Sequence, residues 1–135
     1  MGSKVFLISH NEFAHGLKKT IEMITGEHEN LYSFGLMPGG HPDDLLEEIE
    51  ALIDDEDQVF ILGDLAGGSV CNAALRLSIL DNITLIAGMN LSLAIQIILT
   101  PPYSESELET IINDSKAGLT QLVLNNIKQN EEDFF

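Results

Sequence analysis

Four short runs of almost purely apolar residues, each followed within a few positions by a stretch of helical period, constrain this chain more than any other feature. Lys4 to Ser9 (KVFLIS) is apolar at successive positions, so both faces need burial, as in a strand inside a parallel sheet. The run stops at His10-Asn11. Phe13, Leu17, Ile21 and Ile24 then fall four, four and three apart, one stripe along a helix that Gly26 can end. Leu31 to Leu36 reads as a second, weaker strand. After the turn-rich Pro38-Gly39-Gly40-His41-Pro42, Asp43 or Asp44 can cap a helix carrying Leu45, Leu46, Ile49, Leu52 and Ile53. Val59 to Leu62 is a third strand. Ser69, a good N-cap, opens a helix through Ala73, Ala74, Leu77 and Leu80. Ile83 to Ala87 is a fourth strand, and Leu91 to Leu99 a short apolar helix stopped by Pro101-Pro102. Repeated strand-then-helix units predict an α/β fold with a parallel sheet and right-handed crossovers.

The last third fits less well. Ser104 begins the capping pattern Ser-Glu-Ser-Glu, and Leu108, Ile111 and Ile112 continue a helix. Leu119 to Leu124 (LTQLVL) reads equally as strand or helix. The tail from Asn130 to Phe135 is read as a frayed end. A length of 135 residues suits one domain, expected to cover residues 1–135, and 44% hydrophobic content suffices for a core.

Charge narrows the choice of partners. Six Lys and Arg oppose 22 Asp and Glu, a formal net charge of −16, and the only adjacent cations are Lys18 and Lys19. Nucleic acid and anionic membrane surfaces, which bind through clustered cations, are poor partners for such a chain. The single Cys71 forbids an intrachain disulfide, and no Cys/His cluster has zinc spacing, so the expectation is a cytoplasmic protein without metal or cofactor. No secretory leader and no apolar run long enough to span a membrane is read.

In an open parallel sheet, ligands sit beyond the carboxyl ends of the strands where strand order reverses. If the order is 2-1-3-4, that crevice lies between the first and third strands, which end at His10 and Asp64. A carboxylate on one imidazole nitrogen fixes the tautomer and leaves the other nitrogen as a nucleophile. Gly67-Gly68-Ser69 then opens a helix. Glycine backbone, free N–H groups and the Ser69 hydroxyl suit a phosphoryl group held on His10. A nucleotide fits less well, because Ser69 stands where the P-loop spacing requires lysine.

Ser9-His10, Pro38-Gly39, Gly63-Asp64-Leu65-Ala66-Gly67-Gly68-Ser69 with Asn72-Ala73-Ala74, and Ile86-Ala87-Gly88-Met89-Asn90-Leu91 together resemble the IIA domain of the mannose/fructose/sorbose family of the bacterial phosphoenolpyruvate-dependent sugar phosphotransferase system. The resemblance runs from residue 4 to about residue 125. It implies a doubly wound, three-layer, four-stranded parallel sheet of order 2-1-3-4. It also implies a C-terminal antiparallel strand exchanged across a homodimer, which would account for Leu119 to Leu124. It implies that His10 is phosphorylated by the phosphocarrier HPr and passes the group to the IIB domain of a permease, with contact to the membrane only through the IIC and IID components. Asp64 matches the partner carboxylate, on Nδ1, and Ser69, Gly67 and Gly68 match the phosphate-contacting elements. Many relatives carry proline where this chain has Val70, which leaves the loop a little looser. With no IIB segment following, a free-standing IIA protein or an excised domain is expected. The alternative implied reading is regulatory: a IIA-like module of a transcriptional activator, or the phosphotransfer subunit of a dihydroxyacetone kinase.

Plainer roles stand beside these. Taken alone, His10 is a surface histidine at a strand end, Asp64 a turn residue and Ser69 a helix cap. His15, five residues after His10, need not share its face. His41 could approach His10, and a metal site of His10, His41 and Asp64 lacks diagnostic spacing. Cys71 reads as a small buried helix residue. A serine hydrolase built on Ser69, His10 and Asp64 lacks the G-x-S-x-G elbow.

Overall fold

The computed structural model describes residues 2–124. Strands β1 (Ser3–His10), β2 (Leu31–Leu36), β3 (Gln58–Gly63) and β4 (Ile83–Ala87) alternate with helices α1 (Phe13–Thr25), α2 (Pro42–Glu50), α3 (Ser69–Ala74), α4 (Leu91–Leu99) and α5 (Glu105–Ala117). All strand pairs are parallel, in the order β2-β1-β3-β4. The expected fold class is therefore observed, with order reversing between β1 and β3.

Both faces of the sheet are covered, which is why its central strands lack polar alternation. On one face Val5, Leu7, Phe60 and Leu62 pack with Ala14 and Ile21 of α1, Leu93 and Ile97 of α4 and Ile111 of α5. On the other, Phe6, Ile8, Val59 and Ile61 pack with Leu46 and Ile49 of α2 and Val70 and Ala74 of α3. Val5, Phe6, Leu7 and Ile8 are all fully buried. Complete burial of each such side chain is worth about 1.5–3 kcal/mol relative to exposure. At the foot of the sheet, Lys4 Nζ donates to Leu52 O at 2.6 Å and pairs with Asp57 Oδ2 at 2.8 Å, tying β1 to the approach to β3.

Several local expectations shift. The α1 stripe is anchored by Ala14 and Ile21, while Phe13 and Ile24 at its ends are exposed. Gly26 ends this helix with φ +92°. Neither Asp43 nor Asp44 caps α2: His41 does, its Nδ1 accepting from Asp43 N, because Pro42 occupies the first helical position. Ser69 is likewise no cap. Gly68 holds the N-cap position, and Ser69 is the first helical residue. α3 ends at Ala74 and tightens into a 3-10 turn, Leu75–Ile79, which leaves Leu80 exposed. Ser104 does cap α5, accepting from Glu107 N, while the Glu107 carboxylate reaches back to Tyr103 N and the Ser104 hydroxyl rather than to the cap residue's own backbone N–H. Residues 119–123 form neither strand nor helix within their own chain, and Leu119 and Leu122 are exposed. The tail from Asn130 lies outside the described residues.

Candidate functional site

Parallel pairing of β1 with β3 sets their carboxyl ends side by side, Ile8 opposite Gly63, so His10 and Asp64 emerge together at the order reversal. Asp64 Oδ2 accepts two hydrogen bonds from one residue, from the His10 backbone N–H at 2.8 Å and from the ring at Nδ1, also 2.8 Å. A carboxylate only accepts, so the ring proton lies on Nδ1. In that tautomer Nε2 presents a lone pair, and the Ser69 hydroxyl, 3.1 Å away, donates to it. The His10 side chain is 47% exposed and that of Asp64 13%. Burial pushes the Asp64 carboxyl up, but the His10 backbone N–H and imidazole outweigh it and hold the acid below its ordinary range. Asp64 is thus an ionised partner for any positive charge that develops on the imidazole.

Local backbone chemistry builds this arrangement. Immediately after His10, Asn11 adopts φ +53°, a left-handed conformation that turns the chain off the sheet. A Cβ at Gly35 on the neighbouring strand would strike the Asn11 carbonyl, so that turn requires glycine at position 35. Buried Ser9 accepts from Ala14 N at 2.8 Å and anchors the start of α1. On the β3 side, Gly68 N donates to Leu65 O, closing a tight turn with Gly67 at φ +81°. The Asn72 side chain donates to Gly67 O at 3.2 Å and ties that turn to α3. A Cβ at Gly68 would lie 3.4 Å from His10 Cε1, so the glycine loop comes up close against the imidazole.

His10, Asp64, Ser69 and Gly68 therefore converge, and Gly67 shapes the turn beside them. Other candidates lie apart. His15 bonds Ser33 on β2 at 2.7 Å, and His41 is occupied at the start of α2. Among the described residues no three His, Cys, Asp or Glu side chains are grouped to hold a metal ion. Cys71 is buried with its Sγ against Gly63, and burial pushes its thiol up. The sequence pattern assigns no role to Asn11 or Gly35, and Asn72 enters it only within the motif Asn72-Ala73-Ala74. The available signal was Gly35, a glycine within a strand run, which often marks close backbone approach.

The sequence and the fold both match known proteins. The family model described as the fructose IIA component of the PTS, the phosphotransferase system, matches residues 4–115. The mannose-specific EIIAB component of Escherichia coli strain K12 is 34% identical over 92 residues, 65% of this chain and 28% of that protein. The chain thus spans less than a third of that relative. The PTS IIA protein associated with the fucose utilization operon of Streptococcus pneumoniae is 30% identical, with a TM-score of 0.80 over 96% of each chain. The mannose/sorbose specific IIA subunit of Enterococcus faecalis shares the fold, at 23% identity and a TM-score of 0.78, over 92% of this chain and 97% of that one. Matched over most of its length in sequence and fold, the chain belongs to the IIA components of the mannose/fructose family of the phosphotransferase system.

Proposed function

We propose that His10 Nε2 takes a phosphoryl group from phospho-HPr and delivers it to the IIB domain of a sugar permease. The observation that carries this reading is the Asp64–His10–Ser69 chain, which places the proton on Nδ1 and leaves the Nε2 lone pair facing the Ser69 hydroxyl on a half-exposed ring. In the transfer, the phosphorus–nitrogen bond of the donor breaks as the bond to His10 Nε2 forms in line, without water. The imidazole gains positive charge, which the Asp64 carboxylate offsets. The Ser69 hydroxyl gives up its bond to Nε2 and donates to a phosphoryl oxygen instead. Backbone N–H groups around Gly67 and at the start of α3 supply the remaining donors, in place of the scarce cations, the Gly68 N–H being bonded to Leu65 O. Catalysis of this kind is positioning plus electrostatic stabilisation and needs no metal or nucleotide from this chain. The return step to IIB reverses these roles. The working unit is a homodimer in which the segment from Leu119 adds antiparallel to the partner's sheet.

The test is incubation with phosphoenolpyruvate, enzyme I and HPr, followed by intact mass and acid-lability measurements. One acid-labile phosphoryl group per chain is expected, absent from His10→Ala. Equal labelling of that variant, or none of the wild type, overturns the reading.

A further inference from the structure

A group of cavities lies at the end of the sheet opposite His10. Three adjoin there, of about 540, 290 and 390 Å³, and Tyr103 lines all of them. Their setting is the foot of the sheet, where β1 and β3 begin at Ser3 and Gln58. Leu99, Pro101, Pro102 and Ile111 form an apolar floor. Pro101-Pro102 is a stiff wall, and Gln58 Nε2 fixes it by donating to Pro102 O at 2.6 Å. The Tyr103 ring stands 82% exposed above this floor, its side chain without a structural bond among the described residues. The charged side chains that line them have one sign among the described residues. Glu56, Asp81, Glu105 and Glu107 line the three cavities, and no Lys or Arg among the described residues does.

We propose that this groove docks a Lys- or Arg-bearing segment of a partner protein, its apolar side chains on the proline floor and its cations among the four acids. Charge complementarity selects that occupant. An acidic segment, including this chain's own Glu131-Glu132-Asp133 tail, meets repulsion, and so does the rim of a second copy. The open Tyr103 ring adds a face for a guanidinium. Placement at the far end of the strands leaves His10 uncovered, so a partner can hold the protein here while its other end exchanges a phosphoryl group. Docking does not depend on the chemistry at His10.

The probe is a capped hexapeptide of alternating Arg and Leu, with a Glu/Leu peptide as control, titrated into the full chain by NMR. Shifts centred on Tyr103 and residues 99–111 are expected, unchanged in His10→Ala. Affinity should fall about tenfold in Glu105→Lys, equivalent to about 1.4 kcal/mol, and comparably in Tyr103→Ser. Tyr103→Ser should leave His10 phosphorylation at the wild-type rate, so this result and that of the labelling experiment fail separately. The proposal is overturned by equal binding of the Glu/Leu peptide, by shifts spread over the other acidic faces or centred on His10, or by no binding. Tyr103 shifts that follow protein concentration without peptide would assign the groove to a second copy, and contacts of Phe134 or Phe135 to Tyr103 in the free protein would assign it to the tail. Either also overturns it.

Discussion

Three side chains at one strand edge carry the chemistry proposed for this chain, and each has a distinct physical task. Asp64 sets both the proton position and the response to pH. Asp64→Asn keeps an acceptor but loses the charge that offsets the developing imidazolium, so His10 phosphorylation should slow by about 10²-fold or more, measured by rapid quench. The same carboxyl, held low in the folded state, binds its proton more readily when the chain unfolds. Its stabilising effect is therefore complete above the ordinary carboxylate value of about 3.9 and is lost as pH falls from there toward the lower folded value. Urea midpoints should separate wild type from Asp64→Asn at pH 7, and the gap should narrow as pH falls below about 3.9; a gap that widens in acid would contradict this sign. Ser69 behaves differently. A helix cap replaced by Ala costs about 1 kcal/mol, but Ser69 is the first helical residue and its hydroxyl faces Nε2. Ser69→Ala should thus change stability by less than about 0.5 kcal/mol while slowing phosphorylation. A full cap-sized loss in the urea midpoint would show that the hydroxyl serves the helix instead.

At the level of elements, the spacing of Ser69 from His10 depends on how closely α3 rides on β3, and Gly63 is the contact that sets it. Cys71 Sγ occupies the space where a Cβ at position 63 would sit. Gly63→Ala should therefore cost about 1–3 kcal/mol by overpacking, push α3 off the strand and slow phosphorylation. Adding Cys71→Ala should restore much of both, because the new methyl takes the vacated volume; the cycle should show a coupling of at least about 1 kcal/mol. A strictly additive pair would mean that the two residues do not share that space. This contact also marks the limit of what the sequence made legible. The four strands were readable because residues such as Val5 to Ile8 must be buried on both faces, and pattern reports that requirement directly. His10 and Asp64 followed from topology, since strand ends are the part of a parallel sheet where position implies proximity. Helix starts were less readable. Pro42 displaced the cap from Asp43 to His41, and the Leu65–Gly68 turn displaced Ser69 into the helix, both backbone effects of neighbours that composition does not announce. Gly35 and Gly63 each serve a residue on another element, Asn11 just past the end of the neighbouring strand and Cys71 on the following helix, contacts that no local pattern announces.

For the whole molecule, charge and apolar exposure pull in opposite directions, and salt separates them. A protein of charge −16 attracts the basic surfaces that a phosphoryl donor or acceptor would present, so the proposed transfer should slow as ionic strength rises. Self-association has the reverse sign. Two identical chains of −16 repel, yet β4 ends the sheet with its outer backbone edge unpaired among the described residues. Leu119 and Leu122 stand 93% and 70% exposed just after α5, and Ile79, close before β4, is 82% exposed. An open edge and nearby exposed leucines are what an exchanged strand would cover, closing the edge by twofold symmetry. Apolar burial does not weaken with salt, whereas repulsion does. Sedimentation velocity at micromolar concentration should therefore give a dimer whose dissociation constant falls from low to moderate salt, over the range in which phosphotransfer slows. Leu122→Asp should yield a monomer, since it places a further charge on an apolar surface that already has to overcome repulsion. A wild-type chain that stays monomeric at every salt concentration would remove the exchanged strand from the proposed function and leave His10 acting within a single subunit.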